Sequence, residues 1–230
     1  MTSSPLGAAS DIDGVLDRMA DLEKSLPAAD GVATFNRMYY AVTCHVDTAV
    51  DQASFRAGDF IARLDVRFAN HFFAACDADR AGQEIPMAWR PLFRNRARPR
   101  THPVQFAMAG MNAHISHDLA FAVVETCKEI AAVPDSDTDQ HADYTHVNDV
   151  LEVAAEDMKQ WFSTGVVAHL DALGGRVDDA FAMFGIHLAR AGAWELAETL
   201  WALDDNPRLL RMLTAGLRRA VQLSSEGILL

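Results

Sequence analysis

The sequence predicts an all-α protein, a single-domain helical bundle of about seven to eight helices around a buried central helix over residues 104–132. Three observations carry this expectation. Apolar residues recur at spacings of three and four almost throughout, and no stretch alternates apolar and polar residues for long enough to make a sheet. The longest apolar tract, Val104 to Val124, is interrupted by Gln105, Asn112, His114, Ser116, His117 and Asp118. It has about the length of a membrane span, but each of these polar groups is costly in lipid, so the tract reads as a core helix. With 230 residues, half of them apolar, the chain can bury one sizeable core.

The elements follow in order. A first helix should begin after Ser10 and run to about Leu26, where Pro27 ends it. A second follows Asp30 through FNRMYYAVTCHVDTAV, and a third follows Gly58, with Asp59 as N-cap, through FIARLDVRFANHFFAA. Pro86 suits the first turn of a short helix containing Trp89. The segment RNRARPRTHP is irregular because Pro99 and Pro103 oppose helix, and the central helix starts after it. The loop VPDSDTDQH leads to a long helix from about Ala142 to Phe162. Gly174 and Gly175 precede a helix through DDAFAMFGIHLARAGAWELAETLWAL, and Asn206-Pro207 starts the last one, to about Leu223. No repeat of fixed period occurs, so residues 10–224 read as one domain between a flexible start (1–9) and a loose end (225–230).

A net charge of −12 argues against a general nucleic-acid binder, which needs an excess of basic groups at the phosphate backbone. Only Lys24, Lys128 and Lys159 of the 20 basic residues are lysine, a bias expected of a GC-rich genome. Cys44, Cys76 and Cys127 are odd in number and widely spaced, which fits buried thiols rather than a disulfide framework or a zinc knuckle. The opening MTSSPLGAASDIDG lacks the basic and apolar regions of a secretory signal. The expectation is a cytoplasmic protein with no membrane or nucleic-acid partner, taking a small-molecule ligand or substrate; a homodimer is compatible with the sequence.

The stretch GMNAHISHDLAF, residues 110 to 121, is the most informative. At about 100° per residue, His114, His117 and Asp118 share one face with Gly110, Met111 and Phe121, while Asn112 points to nearly the opposite side. A buried polar group without a partner costs roughly 1–3 kcal/mol, so other helices must answer this face. The third helix offers Asp65 and His71 on the two borders of its Phe60, Leu64, Phe68, Phe72 stripe. The long helix offers Tyr144 and Asn148 near Leu151, and the penultimate one offers His187, Arg190 and Trp194.

Three chemistries fit this face. One is a metal site, Zn or Fe, with His114, Asp118 and His71 as first ligands and His117 beside them; HExxH and paired ExxH motifs are absent. Another is metal-free acid/base catalysis by a histidine that Asp118 orients. The third is an inert buried network in which Asp118 pairs with Arg190 or a histidine.

GMNAHISHDL also resembles the signature helix of a mainly actinobacterial group, domain of unknown function 5995. FNRMYYAVT, LDVRFANHFF, PMAWRPLF, DYTHVNDVL and ARAGAWELAETLW match less specifically, and the resemblance spans roughly residues 30 to 205. It implicates Asn112, His114 and Asp118 most directly, then Asp65, Asn148, Arg190 and Trp194. His71 and His117 fall outside that pattern, which sets it against the metal ligand set.

Other features are weaker. RPLFRNRARPR carries Arg90, Arg94, Arg96, Arg98 and Arg100, suited either to guiding an anionic substrate or to pairing with surplus acids. Asp77 and Asp79 in CDADR fit a solvated helix end, and Phe181, Met183, Phe184, Trp194 and Trp201 fit core spacing. No phosphate loop, G-x-S-x-G elbow or cysteine-nucleophile motif is present. The reading that follows is an enzyme hydrolysing or rearranging a mostly apolar small molecule, with His114 and Asp118 at its centre and Asn112, Asp65, Asn148 and Arg190 around them. A non-catalytic binding protein and a structural protein are the alternatives.

Overall fold

The computed structural model describes the backbone of residues 8–163 and 185–230, with side chains over 8–154 and 185–230. The described residues form helices α1 (Ile12–Ser25), α2 (Gly31–Asp51), α3 (Gly58–Arg80), α4 (Arg90–Asn95), α5 (Pro103–Ala113), α6 (Leu119–Glu129), α7 (Asp139–Ser163), α8 (Ile186–Ala202) and α9 (Pro207–Ile228). A π-helical turn, His114–Asp118, joins α5 to α6, so the three pieces make one central rod. The described residues are all-helical and make a single-domain bundle, and no described helix is long and apolar enough to cross a membrane.

Local chemistry explains the helix starts. Asp11 accepts from the Gly14 N–H at the head of α1, and Asp30 accepts from Val32 and Ala33 at the head of α2. Asn206 caps α9, with Pro207 at its first turn. Three starts differ from expectation. α3 is capped by the backbone of Ala57, whose N–H donates to the Asp143 carboxylate, while Asp59 sits inside the first turn and pairs with Arg63. Trp89 precedes α4 rather than lying within it. Pro103 opens the central rod, because a first-turn residue needs no N–H donor. The last residues are not loose: α9 reaches Ile228 and Leu229 is buried, with the Ile228 and Leu229 carbonyls accepting from Gln105 Nε2 and Arg98 Nη1 at 2.8 Å each. Gly174, Gly175, Phe181, Met183 and Phe184 lie outside the described residues.

The core divides into two clusters. One gathers Phe35, Phe72, Phe73, Trp89, Phe93 and Phe106, and the other gathers Phe60, Leu64, Leu119, Val123 and Trp194. Phe68 and Ile115 pack against both, so the π turn lies on the seam. Close approach of α2 to α5 depends on Gly110, where a Cβ would meet the Phe35 ring 2.2 Å away.

Candidate functional site

In the π turn, the Leu119 N–H reaches back to the His114 carbonyl, one residue further than in an α-helix. This alters which way each side chain looks. His114 and Ile115 border a mostly apolar cavity of about 100 Å³, whose wall includes Tyr39, Asp65, Phe68 and Arg190. His117, Asp118 and Phe121 border a different space, a cleft of about 530 Å³ shared with His71, Trp89 and Glu125. The single polar face expected of an ideal helix is therefore two faces. π turns are found frequently at functional sites for this kind of local displacement.

Asp118 stands between the two spaces. Its Oδ2 lies 3.3 Å from His114 Nδ1 and accepts from Trp89 Nε1–H at 2.9 Å, and its Oδ1 lies 2.7 Å from His117 Nδ1. Burial raises its pKa, but the two histidine hydrogen bonds outweigh that and hold the carboxyl at about 2, so it is ionised. An ionised carboxylate only accepts, so both histidines must present Nδ1–H to it. Both Nε2 atoms are buried with no hydrogen-bond partner among the described residues. Burial, opposed by Asp118, lowers the His114 pKa and keeps the ring in its neutral, basic form. The Phe68 ring stacks on His114 with centroids 3.4 Å apart and planes 5° from parallel, and Tyr39 meets it edge-on at 4.6 Å.

The cavity wall carries further unanswered groups. Asp65 Oδ2 and the Tyr39 hydroxyl are buried without partners among the described residues. Burial, then the charge of Asp47, pushes the Asp65 carboxyl up to about 7. Tyr39 is raised well above its ordinary value by burial, then by Asp65 and Asp118. On the opposite element, Arg190 is buried, its Nε donating to Asn148 Oδ1 at 2.8 Å and its Nη2 to the Tyr144 carbonyl at 2.6 Å.

Of the residues expected at the site, His114, Asp65 and Arg190 come together on one cavity, with Asp118 and Asn148 holding them from behind. Asn112 does not join them. Its Nδ2 donates to the Val221 carbonyl and Ser225 Oγ, tying α5 to α9. The metal ligand set His114, Asp118, His71 and His117 is also corrected. His71 bonds Glu125 on the cleft side, both Asp118 oxygens accept from histidines, and the free Nε2 atoms belong to rings bordering different spaces. Among the described residues, no group of three or more His, Cys, Asp or Glu side chains is placed to hold an ion. Asp118 pairs with histidines and not with Arg190, while His187 is exposed beside Glu152. Trp194 packs against Tyr144 and Phe60 in the core. The sequence reading missed Trp89 and Tyr39, although both lie within matched fragments, PMAWRPLF and FNRMYYAVT.

Two of the five loop arginines have counterions: Arg96 bonds Asp30 at 2.7 Å and Asp79 at 2.6 Å, and Arg90 pairs with Glu84, while Arg98 donates to the Leu229 carbonyl. Arg18 of α1 takes Asp77 at 2.5 Å, which with Arg96 accounts for the D-x-D pair.

A family model matches residues 12–230, nearly the whole chain. The chain belongs to the family of unknown function DUF5995. The match reaches past the α5 to α6 rod, where the resemblance is most specific, and includes α9, the C-terminal helix that Asn112 secures. No curated protein and no solved structure matches the chain.

Proposed function

We propose that this member of DUF5995 is an enzyme of small-molecule metabolism that moves a proton on a mostly apolar substrate, with His114 as base. The observation that carries this reading is the unpartnered Nε2 of a ring whose Nδ1 is held by Asp118 at the edge of an apolar cavity. A neutral imidazole with one nitrogen fixed by a carboxylate and the other free is the arrangement a general base requires. Asp65, on the same cavity with its carboxyl near 7, serves as the matching acid. The ordinary order of the two groups is thereby reversed: around neutral pH the histidine is unprotonated while much of the carboxyl retains its proton. Such a pair suits a rearrangement, in which one group takes a proton and the other returns one, and equally the protonation steps of a hydrolysis.

Energetics support a ligand in this space. An unfilled apolar cavity of about 100 Å³ costs about 2 kcal/mol, and each unanswered polar atom on its wall adds roughly 1–3 kcal/mol. A molecule that fills the cavity and meets those atoms recovers both. The test is product analysis of candidate apolar substrates in deuterated water and in ¹⁸O-labelled water, which distinguishes proton transfer from hydrolysis. H114Q should lower turnover by a factor of about 10² to 10⁴ with an unchanged circular dichroism spectrum. Full activity in H114Q sinks the proposal. Tight binding with no product from any ligand that co-purifies leaves the second reading, a binding protein, which the same apolar wall supports.

A further inference from the structure

Arg190 is the only cation among the described residues that line the cavity, and Asp65 the only acidic one. A guanidinium keeps its charge inside a protein, and a buried charge is costly unless an opposite charge answers it. Elsewhere the fold respects this rule: buried Arg18 meets Asp77, and partly buried Arg96 meets Asp30 and Asp79. Arg190 differs. Its described partners are neutral, namely the Asn148 side-chain oxygen, the Tyr144 carbonyl, and the Tyr144 ring 4.3 Å from its Cζ. The Tyr144 hydroxyl in turn donates to the Arg190 carbonyl at 2.6 Å, fixing the backbone beneath it. Nε and Nη2 are thus committed to orienting the group, while Nη1 has no partner among the described residues.

We propose that Arg190 receives the anionic head of the ligand, so that the cavity takes an apolar carboxylic acid in its ionised form. Nη1 pairs with the carboxylate, and the apolar body lies against Val42, Leu64, Phe68 and Leu151 toward His114. One cation without a second beside it balances a monoanion, which favours a carboxylate over a phosphate dianion. Ile186, the first residue of α8, lines the same cavity, so the positive end of that helix lies near the head group as well. Asn148 is a positioning residue that holds the guanidinium. This inference deepens the acid/base reading by naming the substrate class.

The experiment is calorimetric titration of the full chain with octanoate and, in parallel, with 1-octanol, at about pH 6, where Asp65 is mostly neutral and the probe acid is ionised. Wild type should bind octanoate at least tenfold more tightly than the alcohol, roughly the worth of one charge-assisted contact. R190Q should bring the two within about twofold, and R190K, which keeps the charge and loses the fork, should fall between. Equal affinity of acid and alcohol for wild type, a preference surviving in R190Q, or no binding of octanoate at millimolar concentration would each overturn the inference. The wild-type comparison needs no variant to fold. R96Q, which alters an ion pair outside the cavity lining, should leave octanoate affinity within about twofold. Octanoate binding as expected beside full turnover in H114Q sinks the base and keeps the carboxylate site; the opposite pattern sinks only the carboxylate site.

Discussion

Charge is treated in opposite ways at the head and in the middle of α2. At its head, Asp30 caps the helix with one oxygen and pairs with Arg96 through the other, and Arg96 reaches on to Asp79. In the middle, Tyr39 faces a cavity where Asp65, His114 and Arg190 also lie, and the first three of these side chains each carry an atom without a described partner. Among the described residues a loop arginine, Arg96, has counterions and the buried Arg190 has none. Completeness of pairing thus separates the two regions. The charge of Arg96 is spent on the fold, and that of Arg190 meets only neutral groups among the described residues.

Substitutions can break that contrast. The largest stability effect should come from D118A, which strands the Nδ1–H of two histidines and the Trp89 N–H in the core at once. A loss of about 3–5 kcal/mol in denaturant unfolding is expected, and a near-neutral result would mean that the network is not formed. D65N should act the other way. A carboxyl at about 7 in the folded chain, against roughly 4 when unfolded, stabilises fully only at low pH, and that contribution is lost as pH rises through 7. Asparagine cannot ionise, so D65N should be the more stable protein at pH 8, by on the order of 3 kcal/mol, and gain nothing at pH 4. Equal stability curves for the two proteins across that range would refute the burial of a charged Asp65.

R96Q tests the paired region. It should cost about 1–3 kcal/mol by leaving the buried Asp30 without its cation, yet leave octanoate affinity as in wild type. A drop in that affinity would show the two regions to be linked. The smallest effect belongs to Y39F, which removes a hydroxyl that the described residues do not satisfy; stability should stay within about 1 kcal/mol of wild type. A clear loss on thermal melting would reveal a partner for that oxygen.

The helices themselves were legible because buried faces repeat with the helical period and because Asp30 and Asn206 announce where two of them begin, while the first cap is Asp11, one residue past the Ser10 that the sequence suggested. Asp59 misled as a cap, since its carboxylate has Arg63 one turn on and the cap is supplied instead by Ala57. The rod's polarity pointed to the candidate site, and the opposite placement of Asn112 was readable from angle alone, but its partner Ser225 lay in a tail that read as loose. Ring orientation was not readable at all. Whether His71 turns toward His114 or toward Glu125 depends on packing between α3 and α6, and the metal set failed there. Trp89 was invisible for the same reason, since its N–H reaches Asp118 from a separate segment.

The π turn also makes chain length part of the site. Substitutions within His114–Asp118 act on one side chain each, whereas loss of a single residue such as Ser116 lets the rod revert to regular α-helical bonding. Because the π turn takes one extra residue into a single turn, that loss would leave α6 facing as it does relative to α5 and confine the change to the turn itself. Leu119, Val123 and Cys127 would keep the buried positions they fill, while His114 and Asp118 would stand three residues apart on a regular turn and no longer be divided between cavity and cleft. The extra residue therefore serves the aim of these side chains and not the packing of α6, so a chain shortened by one residue here should still fold while losing the division between the two spaces.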